Sequence, residues 1–339
     1  MAKLPQVESD FSELNNLYFG TVASRLMMTA IAMKVFDHLE QPRSSSEIAQ
    51  ILASDPGNTE LMLDALCACD LISKKNGVYQ NSQKTSDFLV SGKPAYLGEW
   101  FQQADEASQP FLASLEDKVR FGPGDAPEEE NMNSEAYCEH YTASHAASSL
   151  GGIAFRIAEQ IAGLPAFSDC RTMLDLGGGP AINAMAVAQE NLQLRVTVFD
   201  RPSIARLAQN YIQSYGFQDR VTAVGGDYLK DSLGQGYDLI MITDSLYYED
   251  QEIDPVLQKC RDALNPGGRL AAIHAVLTHE RTRPMHLVLD LLNETMSGQA
   301  RLPEKGFLVR ALERCGFKDI TSKMVNIGGT QVEMNLGHT

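Results

Sequence analysis

The sequence has no basic excess, few cysteines and no long apolar run, and each shortage removes a class of function. Lys and Arg number 28 against 44 Asp and Glu in 339 residues, a formal net charge of −16. Phosphate backbones are held by clustered basic side chains, so nucleic acid is not an expected partner. No apolar stretch reaches the ~18 residues that a membrane span needs. The start, "MAKLPQVESDFSELN", lacks the basic-then-apolar pattern of a secretory signal. The expectation is a cytoplasmic protein with no membrane partner. Six cysteines include the pair Cys67 and Cys69, with no second pair or histidine cluster at zinc spacing. Buried reduced thiols and no metal are expected. There is also no internal repeat, no low-complexity tract and no G-x-x-x-x-G-K-[ST] phosphate loop.

What is present falls into two patterns. Residues 10–40 carry apolar side chains at helical spacing, from Leu14, Leu17 and Tyr18 to Val35, Phe36 and Leu39. "SSSEIAQIL" offers Ser44 or Ser45 as an N-cap with Glu47 nearby. A further amphipathic helix, "LMLDALCACDLI", is followed by "KKNGVYQ", whose Asn76-Gly77 favours a type I′ hairpin turn. Helices closed by a hairpin make a winged-helix pattern. Residues 1–100 hold eight basic and twelve acidic residues, the wrong balance for a phosphate-binding face. So apolar a helix at 10–40 needs a partner surface, which makes a dimerisation module the preferred reading. "RFGPGDAPEEENMNSE" (120–135) breaks periodicity as a loop. Beyond a helical stretch from about 136, short apolar runs alternate with amphipathic helices: "TMLDLGGG", "RVTVFD", "RVTAVGGD", "YDLIMITD" and "GRLAAIHAVL". These read as parallel strands of a doubly wound α/β sheet.

The first of these runs opens into "LDLGGGPAIN" (174–183), where glycines let backbone N–H groups approach a ligand at a helix N-terminus. Asp200 ends the second run, placed to accept both hydroxyls of an adenosine ribose. Asp227-Tyr228 end the third, placed to hold and cover an adenine ring. The fourth ends at the switch-point edge, where open α/β sheets bind ligands. After Gly177-Gly178-Gly179 come Pro180 and Ala181, with no later glycine for a pyrophosphate turn. S-adenosylmethionine therefore fits better than a dinucleotide.

"LDLGGG", "VTVFDRPSIARLA", "VGGDYL" and "ALNPGGRL", in that order, resemble the motifs of S-adenosylmethionine-dependent methyltransferases. More narrowly, nearly the whole chain is similar to the dimeric small-molecule O-methyltransferases of plants and bacteria, whose N-terminal winged helix "AIAMKVFDHLEQPRSSSEIAQIL" through "NGVYQNS" resembles. The resemblance implies a homodimer and three parts: a dimerisation domain at 1–105, linking helices that help form the substrate pocket at 106–160, and a class I, Rossmann-like catalytic domain at 161–339. It implies cofactor contacts from Asp175, Gly177, Gly179, Asp200, Arg201, Asp227, Tyr228 and Thr243. Ala181 stands where the family usually has another glycine.

The resemblance also exposes a gap. In the family the fourth strand delivers a catalytic histidine and a following aspartate, and the fifth ends in an acid that orients the histidine. Here "DSLYYEDQE" puts Tyr247 and Tyr248 at the first two positions, and His274 takes the third. A phenol acceptor must lose a proton, and tyrosine, with a pKa of about 10, is a poor base at neutral pH. A thioether or tertiary amine attacks with no proton to remove, by alignment and exclusion of water alone, and the aromatic faces of Tyr247 and Tyr248 favour the resulting cation. S-methylation of a small thioether acid is therefore the first expectation. Its particular form is 4-methylthio-2-hydroxybutyrate in dimethylsulfoniopropionate biosynthesis, because bacterial S-methyltransferases resembling this family act there. The alternative is an O- or N-methyltransferase with His274 as a relocated base. A non-catalytic binding protein is the third reading. Tyr137, Tyr141, Ser144 and His145 share one helical face, and His286, Asp290 and Asn293 share another, both read as lining a small polar pocket. For a substrate carboxylate the candidates are Arg301, His145, His286 and Arg25, and the sequence leaves that choice open.

Overall fold

The computed structural model describes residues 8–122, 135–246, 253–297 and 303–339. It divides into two compact units, 1–108 and 109–339, with the division falling inside the helix Gly98–Phe121. Most of the loop expected at 120–135 lies outside the described residues.

The N-terminal unit is a winged helix. The helix Ser45–Leu52 starts at a capping box: Ser44 Oγ accepts the Glu47 N–H at 3.3 Å, and the Glu47 carboxylate accepts the Ser44 N–H at 2.8 Å. The helix Pro56–Ala68 is capped by Asp55, whose carboxylate accepts the Asn58 N–H at 2.8 Å. Strands β1 (Arg43–Ser44), β2 (Ile72–Lys75) and β3 (Val78–Asn81) form a small sheet in the order β1-β3-β2. Asn76 and Gly77 both have positive φ (52° and 81°), the two-residue I′ turn expected of that dipeptide. Ile31, Phe36, Leu39, Ile48, Leu63 and Leu66 form the core. The long helix Ser12–Ala32 buries only Ala30 and Ile31, while Leu14, Leu17, Tyr18, Phe19 and Val22 are 58–72% exposed.

The C-terminal unit is built on a seven-stranded sheet of β4 (Thr172–Leu176), β5 (Arg195–Asp200), β6 (Val221–Gly225), β7 (Tyr237–Thr243), β8 (Leu264–Ala275), β9 (Lys318–Ile327) and β10 (Thr330–His338), in the order β6-β5-β4-β7-β8-β10-β9. β4 to β8 are parallel, and β10 runs antiparallel between β8 and β9. This is the doubly wound α/β arrangement read from the alternating pattern. Its central strands are apolar on both faces because helices cover both. Met173, Val198 and Met241 face one core with the helices Ala154–Ala162 and Ile182–Glu190. Leu174, Leu176 and Ile242 face the other with Asp254–Ala263 and Phe307–Arg314. From β4 the chain moves out through β5 to β6, then returns to β7 on the other side of β4. That reversal leaves a crevice beyond the carboxyl ends of β4 and β7. No helix among the described residues is long and apolar enough to cross a membrane.

Removing the cap tests the local reading of the winged helix. Ser44→Ala should lower stability by about 1 kcal/mol, and Ser44→Gly by only a few tenths. Urea midpoints for the N-terminal unit measure both, and equal values for the two variants would contradict the capping box.

Candidate active site

The turn after β4 is shaped by lack of room. Gly177 donates its N–H to the Phe199 carbonyl at 2.8 Å and has φ 71°. A Cβ there would stand 2.5 Å from Ser245 Cβ, and one on Gly178 would stand 2.6 Å from Asp175 Oδ2 and 2.7 Å from Val198 Cγ1. Only a bare backbone passes between these neighbours. A Cβ on Gly179 would meet nothing within 4 Å, so the open side of the turn begins there. Ala181, at the position where a glycine is usual, is fully buried with φ 66° and leads into the helix Ile182–Glu190. An alanine in that left-handed conformation costs roughly 1 kcal/mol relative to glycine.

Two carboxylates support this loop. Asp175, in the middle of β4's apolar surroundings, is fully buried, and neither of its oxygens has a hydrogen-bond partner. Burial, reinforced by the charge of Asp200, pushes its pKa up to about 7. Its place is beneath the glycine turn, on the side of Gly178 away from the open edge. Asp200 ends β5 and fixes the edge itself, with Oδ2 accepting the Gly179 N–H at 2.8 Å and Oδ1 accepting the Arg201 N–H at 2.7 Å. Burial raises its carboxyl above the usual range, opposed by those two hydrogen bonds and then by the charges of Arg201 and His145. Arg201 and His145, expected at cofactor and substrate respectively, thus act on the same acid.

The third and fourth strand ends carry bonds of their own. Asp227, expected to hold an adenine ring, has a carboxylate that also closes its own turn. Oδ1 accepts the Leu229 N–H at 2.9 Å, and Oδ2 pairs with Lys230 at 2.8 Å, which holds the acid below its usual range. Tyr228 donates its hydroxyl to the Ser245 carbonyl at 3.0 Å, tying the end of β6 to the end of β7. Thr243 Oγ1 accepts a hydrogen bond of 3.4 Å from Asn183.

Three contributors were not anticipated. Asn183 stands at the start of the helix after the glycine turn, with a buried Oδ1 that has no hydrogen-bond partner. Ser245 donates to the Leu176 carbonyl at 3.0 Å and fills the space beside Gly177. Lys259 donates to the carbonyls of Tyr228, Leu229 and Asp231 at 3.0–3.1 Å, holding the segment after β6. Asn183 stands four residues after Gly179 and was open to suspicion on that ground. Nothing local marks the other two.

The expected acceptor pocket is only partly brought together. Tyr247, Tyr248 and Arg301 lie outside the described residues, as do the side chains of Tyr137 and Tyr141. His145 is exposed in the last turn of the helix Glu135–Ser148. His286 faces Thr330 Oγ1 at 3.3 Å. Asp290 lies one turn on in the same helix, Met285–Asp290, while Asn293 belongs to the next, Leu292–Met296, which begins anew after Leu291 (φ −99°, ψ 18°). Arg25, in the N-terminal unit, pairs with Asp105 at 2.9 Å. His274, the candidate relocated base, is fully buried on β8, and its Nε2 accepts the Leu246 N–H at 3.2 Å. The lone pair a base would use is therefore engaged.

Residues 15–91 match the O-methyltransferase dimerisation domain and residues 106–318 the O-methyltransferase domain, and the chain belongs to that O-methyltransferase family. It is an S-adenosylmethionine-dependent methyltransferase. Among curated relatives, it is 24% identical to the tetracenomycin polyketide synthesis 8-O-methyl transferase TcmO of Streptomyces glaucescens over 94% of this chain and 93% of that one. It is 27% identical to the N,N-dimethyltransferase OxyT of Streptomyces rimosus, covering 86% and 89%. The structure of human N-acetylserotonin methyltransferase in complex with SAM superposes with a TM-score of 0.77 at 23% identity, covering 99% of both chains.

Two substitutions separate the roles of the carboxylates. Asp200→Ala should weaken S-adenosylhomocysteine binding by ~1.5–3 kcal/mol, since it deletes a charged acceptor. Asp227→Ala should weaken it less. Calorimetric titration measures both, and unchanged affinity in Asp200→Ala would remove this edge from the cofactor site. For Asp175, the native pKa of about 7 lies above the ordinary 3.8, so the folded state holds the extra proton between those values. Its contribution to stability therefore falls as pH rises from about 4 towards 7. Asp175→Asn should be more stable than wild type at pH 8 and lose that advantage by pH 5, which denaturant midpoints at the two pH values will show.

Proposed function

We propose that this enzyme methylates an oxygen or nitrogen atom of a small secondary metabolite and works as a homodimer. The observation that carries the reading is the match to the O-methyltransferase domain over residues 106–318, joined to the crevice edge formed by Gly177–Gly179 and Asp200. The names of relatives point the same way: TcmO is an 8-O-methyl transferase and OxyT an N,N-dimethyltransferase. The thioether acceptor drawn from the sequence, 4-methylthio-2-hydroxybutyrate, rested on two features, and the first is weaker in the structure. The polar face His286, Asp290 and Asn293 is interrupted at Leu291. Its other support, tyrosines in place of a histidine after β7, suits a neutral amine equally, since an amine also attacks through a lone pair.

S-adenosylmethionine supplies a methyl group on a positively charged sulfur. The chain's own residues provide position and charge. Asp200 presents the acceptor oxygens for ribose hydroxyls, and the side-chain-free turn at Gly177–Gly179 lets the backbone come close. Holding the acceptor in line with the methyl group provides ~7–11 kcal/mol of the barrier reduction. An oxygen acceptor must also lose its proton, and an amine sheds one after the transfer.

The homodimer reading is supported by the match of residues 15–91 to the dimerisation domain and by the exposed apolar stripe from Leu14 to Val22. Sedimentation at micromolar concentration should give twice the chain mass, and a monomer would overturn this part.

Acceptor chemistry is decided by competing candidates: phenols, small amines and 4-methylthio-2-hydroxybutyrate, each with S-adenosylmethionine at pH 6 to 9. Phenol or amine turnover with a rate that rises from the acid side supports the proposal, because a proton must first leave the nucleophile. Turnover of the thioether alone, flat across that range, would replace it with S-methylation.

A further inference from the structure

His274 sits where two strands and the end of a third converge. It lies on β8, opposite Glu333 of β10, on the face of the sheet that bears the second core. Its Nε2 accepts the Leu246 N–H, and its Nδ1 stands 3.6 Å from Asp244 Oδ1. A nitrogen that accepts carries no proton, so the ring is neutral with its hydrogen on Nδ1. The three residues after β7 are each tied to a different neighbour. Asp244 adopts φ 44°, donates its N–H to the Ile273 carbonyl at 3.0 Å and accepts the Ala275 N–H at 2.7 Å. Ser245 reaches Leu176 and Tyr228 at the cofactor edge. Leu246, 1% exposed, ends on the imidazole. The next residue is Tyr247.

We propose that His274 is a positioning residue: its Nε2 lone pair anchors Leu246, and through it residues 244–246, which border the cofactor edge. The proposal rests on the methyl-transfer reading only for the place of that segment, not for the acceptor's identity. Among the described residues the Leu246 N–H has no other acceptor, which is why this one matters. Protonation would turn Nε2 into a donor facing another donor and release the anchor. Charged groups face the ring from two elements. Asp244, after β7, and Glu333, on β10, both favour the imidazolium, while burial in the apolar face opposes it and prevails, keeping His274 neutral below the usual histidine range. Glu333 is itself held by the Gly306 N–H and the Ser322 hydroxyl, each at 3.0 Å.

The experiment compares wild type with His274→Gln, which retains an acceptor oxygen near the Nε2 position, and His274→Leu, which keeps the bulk without one. Amide hydrogen exchange at Leu246, followed by NMR at pH 7.5, should show protection lost by about tenfold or more in His274→Leu and largely retained in His274→Gln. Affinity for S-adenosylhomocysteine should follow the same order. As pH falls below the ordinary histidine range, protection at Leu246 should decline in wild type and persist in His274→Gln, which separates the imidazole from other acids near the site. If His274→Leu does not fold, the wild-type imidazole ¹⁵N shifts still decide, since the proposal requires protonated Nδ1 and unprotonated Nε2 at neutral pH. The opposite tautomer would overturn it. So would loss of turnover in His274→Gln with Leu246 still protected, because His274 would then move a proton. Failure of every acceptor in the turnover assay would count against the proposed function and leave the exchange result standing.

Discussion

The cofactor edge depends on the exit of β4, where the chain must pass between Ser245 on one side and Asp175 with Val198 on the other, in a gap narrower than one methyl group. Parallel pairing of β4 with both β5 and β7 sets that gap, since the strands on either side cannot move apart without losing their ladders. Glycine is the one residue that fits, and the turn it permits leads into a helix whose N-terminus lies at the open crevice. Asp200 then secures the turn by taking the Gly179 N–H. The family's chemistry follows from a packing constraint before any reactive group is considered.

Polar groups around this edge are mostly spent on each other. Asp227 closes its own turn, Tyr228 reaches Ser245, and Ser245 reaches Leu176. The strand ends are therefore joined laterally, so that β4, β6 and β7 present one connected rim rather than three independent loops. Asp175, a buried acid with unpaired oxygens beneath the rim, and the Oδ1 of Asn183 are exceptions.

How much of this could be read from the chain follows the range of the interactions. The capping box at Ser44 and Glu47, the Asn76-Gly77 turn and the strand-turn-helix at 172–190 are set by residues within a few positions of one another, and their sequence patterns describe them correctly. The site's assignment to S-adenosylmethionine was legible because glycines and acids recur at successive strand ends. The state of His274 was not, because it depends on Leu246 and Glu333, brought together only by sheet order and register. The face read for His286, Asp290 and Asn293 keeps its first two members, which share the helix Met285–Asp290, while the break at Leu291 puts Asn293 in the next helix, because helical spacing does not show where a helix stops.

Lys259 gives the rim a separable part. Its ammonium meets three carbonyls of the segment Tyr228–Asp231, so one side chain from the helix Asp254–Ala263 does what a ladder of strand hydrogen bonds does elsewhere. A segment held this way is fastened at a point, not along a line. The chain can therefore vary in sequence and length around 232–236 while the anchor stays in place. Conversely, a reagent or modification that neutralises that one amine loosens this side of the crevice without disturbing a single pair of strands.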